Sequence, residues 1–431
     1  MFVLDQTSEC MENNSALLLL GYNEAMVLNA VQNSHKCVLI TSSSQREWAD
    51  SKVLALCETV DVASLDDFEE VLCALLRRGV QDICGAWTNR EDSVVTTAAL
   101  CDLFGWRGLS TEVAARFRDK FLQKDALRGT AKVAEFSLLG DLTRADAQMS
   151  WPRVLKPVSG AATRHTEIIG SQEEFEIFRS SLKADSAQHG TFMAEEVVDF
   201  DEELHIDGWV CDGSLQGWIA STYGLSALAV RQGKLLGYTS LDRRSHSAVY
   251  EVLGPWVEIV LKTLGLNHGV FHLECFARLS ANNTVSSVTF GECAARVGGG
   301  AIAEGFEAVS GLSLFGVASQ LTLGKRPSSR VPETGACASL HLPPTSASVP
   351  DFLTWVKSLD GFVAMKGIDA DVSLERMKTD TTLRNGVLSF YGETSEQACS
   401  RLLSAAAVWA GVDLGRFEKS VTLCESRLVN R

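Results

Sequence analysis

The amino-acid sequence predicts an α/β region followed by α+β structure, spread over two to four domains. Over the first 110 residues, short apolar runs alternate with amphipathic stretches, the pattern of a parallel sheet with crossover helices. From about residue 150 the texture shifts to strands joined by polar turns, which indicates antiparallel pairing. A chain of 431 residues also exceeds one ordinary core, at roughly 150 residues per domain.

Ala16–Leu20 is wholly aliphatic and reads as a buried strand, with a helix over 24–32 after Gly21. A second strand at 37–40 leads into a Ser-rich turn. Phe68–Arg78 carries apolar residues at 68, 71, 72, 75 and 76, a helical period. A strand over 80–86 and a helix over 93–104, stopped by Gly105, complete this region. Further on, 151–158 is extended and 173–180 helical. Strands at 192–198 and 203–210 follow, and Cys211-Asp-Gly-Ser214 turns the chain into 215–221. A helix over 252–264 precedes strands at 270–276 and 288–294, which are joined by the turn Ser280-Ala-Asn-Asn-Thr284. The stretch 324–332 reads as a linker, and the last 100 residues end in the helix Ser395–Ala410.

Composition narrows the function. Hydrophobic residues make up 46% and charged residues 22%, a globular rather than disordered balance. The longest aliphatic run, Ala16–Leu20, falls far short of the roughly 20 residues of a membrane span. Met1-Phe-Val-Leu-Asp5 lacks the basic start of a signal peptide. Twelve cysteines without a CxxC pair read as reduced thiols, hence a cytoplasmic protein. A net charge of −15 argues against nucleic acid as a partner.

Alternation places His272, Glu274 and Phe276 on one strand face, and Glu292, Ala294 and Arg296 on one face of the next. Pairing through the 280s turn brings Glu274 beside Glu292, a carboxylate pair suited to Mg²⁺. Taken singly, each is more simply a charge at a strand end. The run Gly298-Gly-Gly300 after Arg296 weighs for a site, since such backbone approaches a ligand closely and its amides bind anions. Lys156-Pro157, with the small-residue turn Ser159-Gly160-Ala-Ala-Thr163, offers an ammonium and amides to phosphates, or is an ordinary β-turn. The segment from Ala194-Glu-Glu-Val197 to Glu203-Leu-His-Ile-Asp207 is either a nucleotide-binding strand or an amphipathic edge strand with a solvated acidic face. His246, in an Arg-rich loop, faces either an acidic substrate or solvent. GxSxG, HExxH, GxGxxG and P-loop patterns are absent.

In order, Asp119-Lys120, Lys156-Pro157, the 159–163 loop, Glu195-Glu-Val197, Glu203 to Asp207, Gly269-Val-Phe-His-Leu-Glu274 and Glu292-Cys-Ala-Ala-Arg296 resemble the ATP-grasp superfamily. The likeness is to its carboxylate–amine ligases of the L-amino acid ligase and carnosine synthase type. Asn89-Arg-Glu-Asp92 and Phe104-Gly-Trp-Arg-Gly108 resemble the end of that family's N-terminal domain. The resemblance implies an N-terminal Rossmann-like domain at 1–112, a lid and central domain at 113–195, a catalytic domain at 196–331 and a C-terminal subdomain at 332–431.

It also implies roles. Lys120 and Lys156 would contact ATP phosphates, under a cover of Ser159, Gly160 and Thr163. Glu195 and the Val197 backbone would hold adenine, and Glu203 the ribose. Glu274 and Glu292 would bind Mg²⁺, or Mn²⁺ in its place. Arg296 and Lys156 would be catalytic. His272, Arg296 and the glycines Gly298, Gly299 and Gly300 would meet the substrates, two amino acids joined through an acylphosphate. A homodimer is a further implication. Two departures stand out: Ala294 occupies the position where the family usually has a metal-ligating Asn, and the covering loop holds a single glycine. His272 is a candidate to support the metal in place of that Asn.

Overall fold

The computed structural model describes residues 15–34, 36–140, 150–161, 163–184, 191–223, 228–229, 234–328, 331–345, 348–367, 385–418 and 426–428. The first five residues, Ala162 of the covering loop and positions 329–330 of the linker lie outside them.

Three sheets organise the chain. The first is parallel, in the order β3 (Glu58–Val62), β2 (Lys36–Ser42), β1 (Ala16–Leu20), β4 (Ile83–Thr88). Its central strand β1 is buried along its whole length because crossover helices cover both faces. Alternation divides the leucine run: Leu17 and Leu19 enter one core, and Leu18 and Leu20 the other. Gly105 ends the helix Val94–Phe104 in the left-handed conformation, as a C-terminal glycine does.

The small second sheet is antiparallel, β5 (Phe136–Gly140), β8 (Phe192–Glu196), β6 (Arg153–Pro157), β7 (Glu167–Ile169), with the helix Gln172–Ala184 packed on it. The third holds eight strands. Its order is β13 (Val285–Ala294), β12 (Gly269–Leu279), β9 (Glu202–Cys211), β10 (Ser214–Thr222), β11 (Gly237–Ser240), β14 (Ala336–His341), β16 (Val387–Gly392), β15 (Phe362–Lys366).

Strands from either side of residue 331 thus share one sheet. The expected boundary at 331/332 crosses it, because β14 pairs directly with β11. One face packs on the helices Ser247–Leu264 and Ser395–Ala410 in the largest core. On the opposite face, Trp209, Ile219 and Val270 share a core with the helices Ile302–Ser310 and Leu314–Thr322, the second of which packs on the helix Glu24–Asn33. The site is therefore held between two packed layers.

The helix expected over 252–264 begins earlier, at Ser247. The 203–210 stretch is not an edge strand: β9 lies between β12 and β10, and all ten of its residues are buried. No described helix is long and apolar enough to cross a membrane, and the ten described cysteines are free.

β9 and β10 slip register between Leu215 and Trp218. Gly217 lies beneath the fully buried Trp209 indole, and a Cβ there would sit 2.1 Å from the ring. Gly217→Ala should cost about 1–3 kcal/mol of stability through overpacking. An unchanged urea midpoint would show that the indole yields freely.

Candidate active site

The site starts from strand register. On β12 and β13, Glu274 pairs with Glu292 and His272 with Ala294. A bulge after Glu274 leaves Gly291 unpaired, and a Cβ at Gly291 would lie 2.8 Å from the Glu274 carbonyl, so the bulge requires glycine. Across β12 and β9, Glu274 pairs with His205, and His272 with Asp207. Three neighbouring strands therefore present polar side chains in two adjacent rows.

Asp207 is the hub of one row. Its carboxylate accepts from His205 Nδ1 at 2.6 Å and from His272 Nδ1 at 2.9 Å. Burial opposes its charge, yet His272 and His205 hold it well below the usual carboxylate range. Burial likewise disfavours charge on His272, but Asp207 and Glu274 outweigh it and raise the imidazole to about 10. His272 is thus protonated at neutral pH, and its Nε2 donates to Glu274 at 3.3 Å. Both ring nitrogens are thus engaged by carboxylates, Nδ1 by Asp207 and Nε2 by Glu274. Tyr223 also donates to Glu274, at 3.1 Å.

The lysines enter from another direction. Asp119 caps the helix Lys120–Leu127 by accepting from the Phe121 and Leu122 amides, which fixes Lys120 at the helix start. Lys120 Nζ lies 3.1 Å from Glu292 and donates to the Gly160 carbonyl at 2.8 Å. Lys156, at the end of β6, pairs with Glu195 at 3.0 Å. Burial works against the Glu292 charge, but Lys120 and Lys156 bring its carboxyl down to about 2.

Several expected residues stand elsewhere than the motifs imply. Glu195 is the shared counter-ion of two lysines, Lys156 at 3.0 Å from one oxygen and Lys124 at 3.4 Å from the other, and that second oxygen accepts no hydrogen bond. Val197 lies just past the end of β8, half-buried. Glu203 is buried opposite Phe276 and does not line the central cavity. Arg296 does not continue the β13 face, because the strand ends at Ala294. It reaches the site by a bend, and Glu91 accepts from its Nε at 2.5 Å. His246 is neither solvated nor at the site. It is buried and held between the carbonyls of Asp242 and Leu428.

A cavity of about 440 Å³ joins these pieces. Glu274, Glu292, His272, Arg296, Thr163, Gly299 and Gly300 all line it. Ser159 and Gly160 lie in the loop beside Lys120, and Thr163 adopts a left-handed φ of 58°. The three glycines differ. Gly298 sits behind the Asp207–His272 bond, where a Cβ would come within 3.0 Å of both partners. Gly299 faces open space, and Gly300 has a φ of 65° near His341.

Three functional positions escape the strand pattern. Glu91 belongs to Asn89-Arg-Glu-Asp92, and Asn89 accepts from the Val297 amide at 2.9 Å. Gln123 spans from its helix to both backbone groups of Cys293, beside Glu292. Lys124 is fully buried, over the Phe290 ring and within 3.3 Å of that residue's carbonyl. Its four-residue spacing from Lys120 is the signal available in sequence.

This architecture, with its central strand pair and two converging lysines, is the ATP-grasp fold. Within it the chain resembles carboxylate–amine ligases of the L-amino acid ligase type. An L-amino acid ligase from Bacillus licheniformis superposes with a TM-score of 0.71 at 16% identity, over 92% of this chain and 98% of the other. The ADP complex of an N5-carboxyaminoimidazole ribonucleotide synthetase gives 0.66 at 15%, over 91% and 96%. By sequence, the L-arginine-specific L-amino acid ligase of Bacillus subtilis is 26% identical over 313 residues, 71% of this chain and 72% of that protein. Dapdiamide A synthase of Enterobacter agglomerans is 25% identical over 203 residues, less than half of either chain. No family model matches the sequence.

Burial lowers Lys124 to about 8 despite the upward pull of Glu195. Between there and the unfolded value near 10.5, the unfolded chain binds more protons, so this group adds stability as pH rises across that window. Lys124→Met should flatten the rise of unfolding free energy from pH 8 to 10 relative to the parent. Parallel curves would mean that Lys124 titrates normally.

Proposed function

We propose that the chain is an ATP-dependent, ADP-forming ligase that joins the carboxylate of one amino acid to the amine of another through an acylphosphate. The observation that carries this reading is the in-register pair Glu274 and Glu292, opening with Arg296 on one cavity beside Lys120 and Lys156. The names of the relatives support it: two are L-amino acid ligases.

A carboxylate is a poor electrophile. One of its oxygens attacks the γ-phosphorus of ATP, the bond to the bridging oxygen breaks, and ADP leaves. The amine nitrogen then attacks the acyl carbon, phosphate departs, and the nitrogen gives up a proton. Lys120 and Lys156 set positive charge against the phosphates, and the 159–163 segment covers them. Glu274 and Glu292 are the groups to hold Mg²⁺: both carboxylates reach the cavity, and hard oxygen donors on facing strands fit that ion. Bound there, the ion would neutralise charge on the transferring phosphoryl group. Arg296, braced by Glu91, stabilises the developing oxyanion with little reorganisation, because its position is set before substrate arrives.

With Mg²⁺, ATP and a panel of amino-acid pairs, the purified protein should release ADP and phosphate in step with dipeptide. AMP and pyrophosphate would sink the acylphosphate route. Arg296→Ala should lower kcat about 10²- to 10³-fold, the usual loss for one oxyanion donor, with the fold intact by circular dichroism. Glu292→Gln should do at least as much. Near-parental rates in either variant would remove that residue from the site.

A further inference from the structure

A second cavity, of about 310 Å³, shares no lining residue with the first. Its walls come from β4, the helix Val94–Phe104, the start of β12 and the helix Leu314–Thr322. Trp87, Trp106, Leu109 and Val270 make it largely apolar. Its volume is at the lower end of that of small-molecule sites, which begin at about 300 Å³.

The polar groups on the wall point to one ligand chemistry. No Asp or Glu lines the cavity, although the chain carries 54 acidic residues against 39 basic. Arg107 lines it, is exposed, and pairs with no carboxylate among the described residues. The other basic group, His268, is already satisfied by Asp212 at 3.6 Å. Trp87, which is nine-tenths buried, contributes an indole N–H that meets no acceptor. An unpaired guanidinium beside an apolar chamber suits an anionic acceptor on an apolar body.

We propose that this chamber is an effector site for a small carboxylate with an aromatic or branched apolar body, whose occupancy is felt at Arg296. Two wall segments run directly into the catalytic cavity. β4 ends at Thr88, and the next residues include Asn89, which holds the Val297 amide, and Glu91, which holds Arg296. On the other side, Ala295 lines the chamber and Arg296 follows it. A ligand that shifts either segment alters the placement of the guanidinium within one or two residues. The chamber is thus coupled to the reaction through backbone continuity and named hydrogen bonds.

The test uses 3-phenylpropionate and its uncharged counterpart 3-phenylpropan-1-ol, titrated calorimetrically into the full chain. Arg107→Ala and Arg107→Lys are compared with the parent, and ADP release is followed in parallel at saturating ATP and amino acids. The acid should bind saturably, with the alcohol about tenfold weaker, the scale of one lost charge-assisted hydrogen bond. R107A should lose a similar factor and R107K retain most of the affinity, both with parental basal turnover. The acid should change parental turnover about fivefold or more, within the usual range of allosteric coupling, and leave R107A unaffected. The proposal is overturned by no saturable binding, by equal binding in R107A, or by displacement by the substrate acid, which would place the probe in the catalytic cavity. Binding without any change in turnover would overturn it too. The calorimetric arm stands whether or not the ligase reading survives.

Discussion

Burying charge without losing it is the constraint on which this structure depends. A carboxylate or ammonium taken out of water costs several kcal/mol unless a partner of opposite sign goes with it. Each cation of the site has such a partner: Lys120 has Glu292, Lys156 and Lys124 share Glu195, Arg296 has Glu91 and His272 has Asp207. The partners come from different layers. Glu91 belongs to the N-terminal segment, the lysines to the helix at 120–127 and to β6, and the acids of the large sheet to β9, β12 and β13. Neutralising the site therefore also clamps the three sheets around it.

This pairing explains how a chain with a net charge of −15 can attract a polyanion. The surface field repels ATP, but the groups that matter lie a few ångströms apart, where local Coulomb terms exceed distant, screened ones. The same logic sets the titration behaviour. Glu292 and Asp207 stay ionised against burial because fixed cations face them, and Lys124 is drawn down chiefly by burial, with Lys156 adding to it.

What the sequence made legible was the part governed by local periodicity. The strands that carry Glu274 and Glu292, their pairing through the 280s turn and the final helix all follow from alternation and turn chemistry, which act over a few residues. The three-strand extension beyond residue 331 did not, because whether β14 joins an existing sheet is decided by pairing with β11 far earlier in the chain. Glu203, His205 and Asp207 read equally well as a solvated face, since a strand with neighbours on both sides and one at an edge share the same period. The partners Glu91 and Lys124 were hidden for a related reason. A counter-ion is chosen by proximity in space, and single charged residues on a loop or helix carry no mark of it.

The pairing also constrains catalysis. Because the resting site satisfies itself, the proposed roles require substrate binding to exchange partners. Lys120 cannot face a phosphate at full strength while Glu292 and the Gly160 carbonyl hold it. Glu292 in turn cannot serve a cation until Lys120 lets go. The two exchanges favour each other: a nucleotide brings both an anion for the lysine and, with its metal, a cation for the carboxylate. Arriving alone, either would break the pair and leave its other member uncompensated. Arg296 differs, since Glu91 holds it through Nε while the guanidinium still lines the cavity. In the proposed reaction, the group that must be fixed before the tetrahedral intermediate forms is thus the one whose partner need not leave.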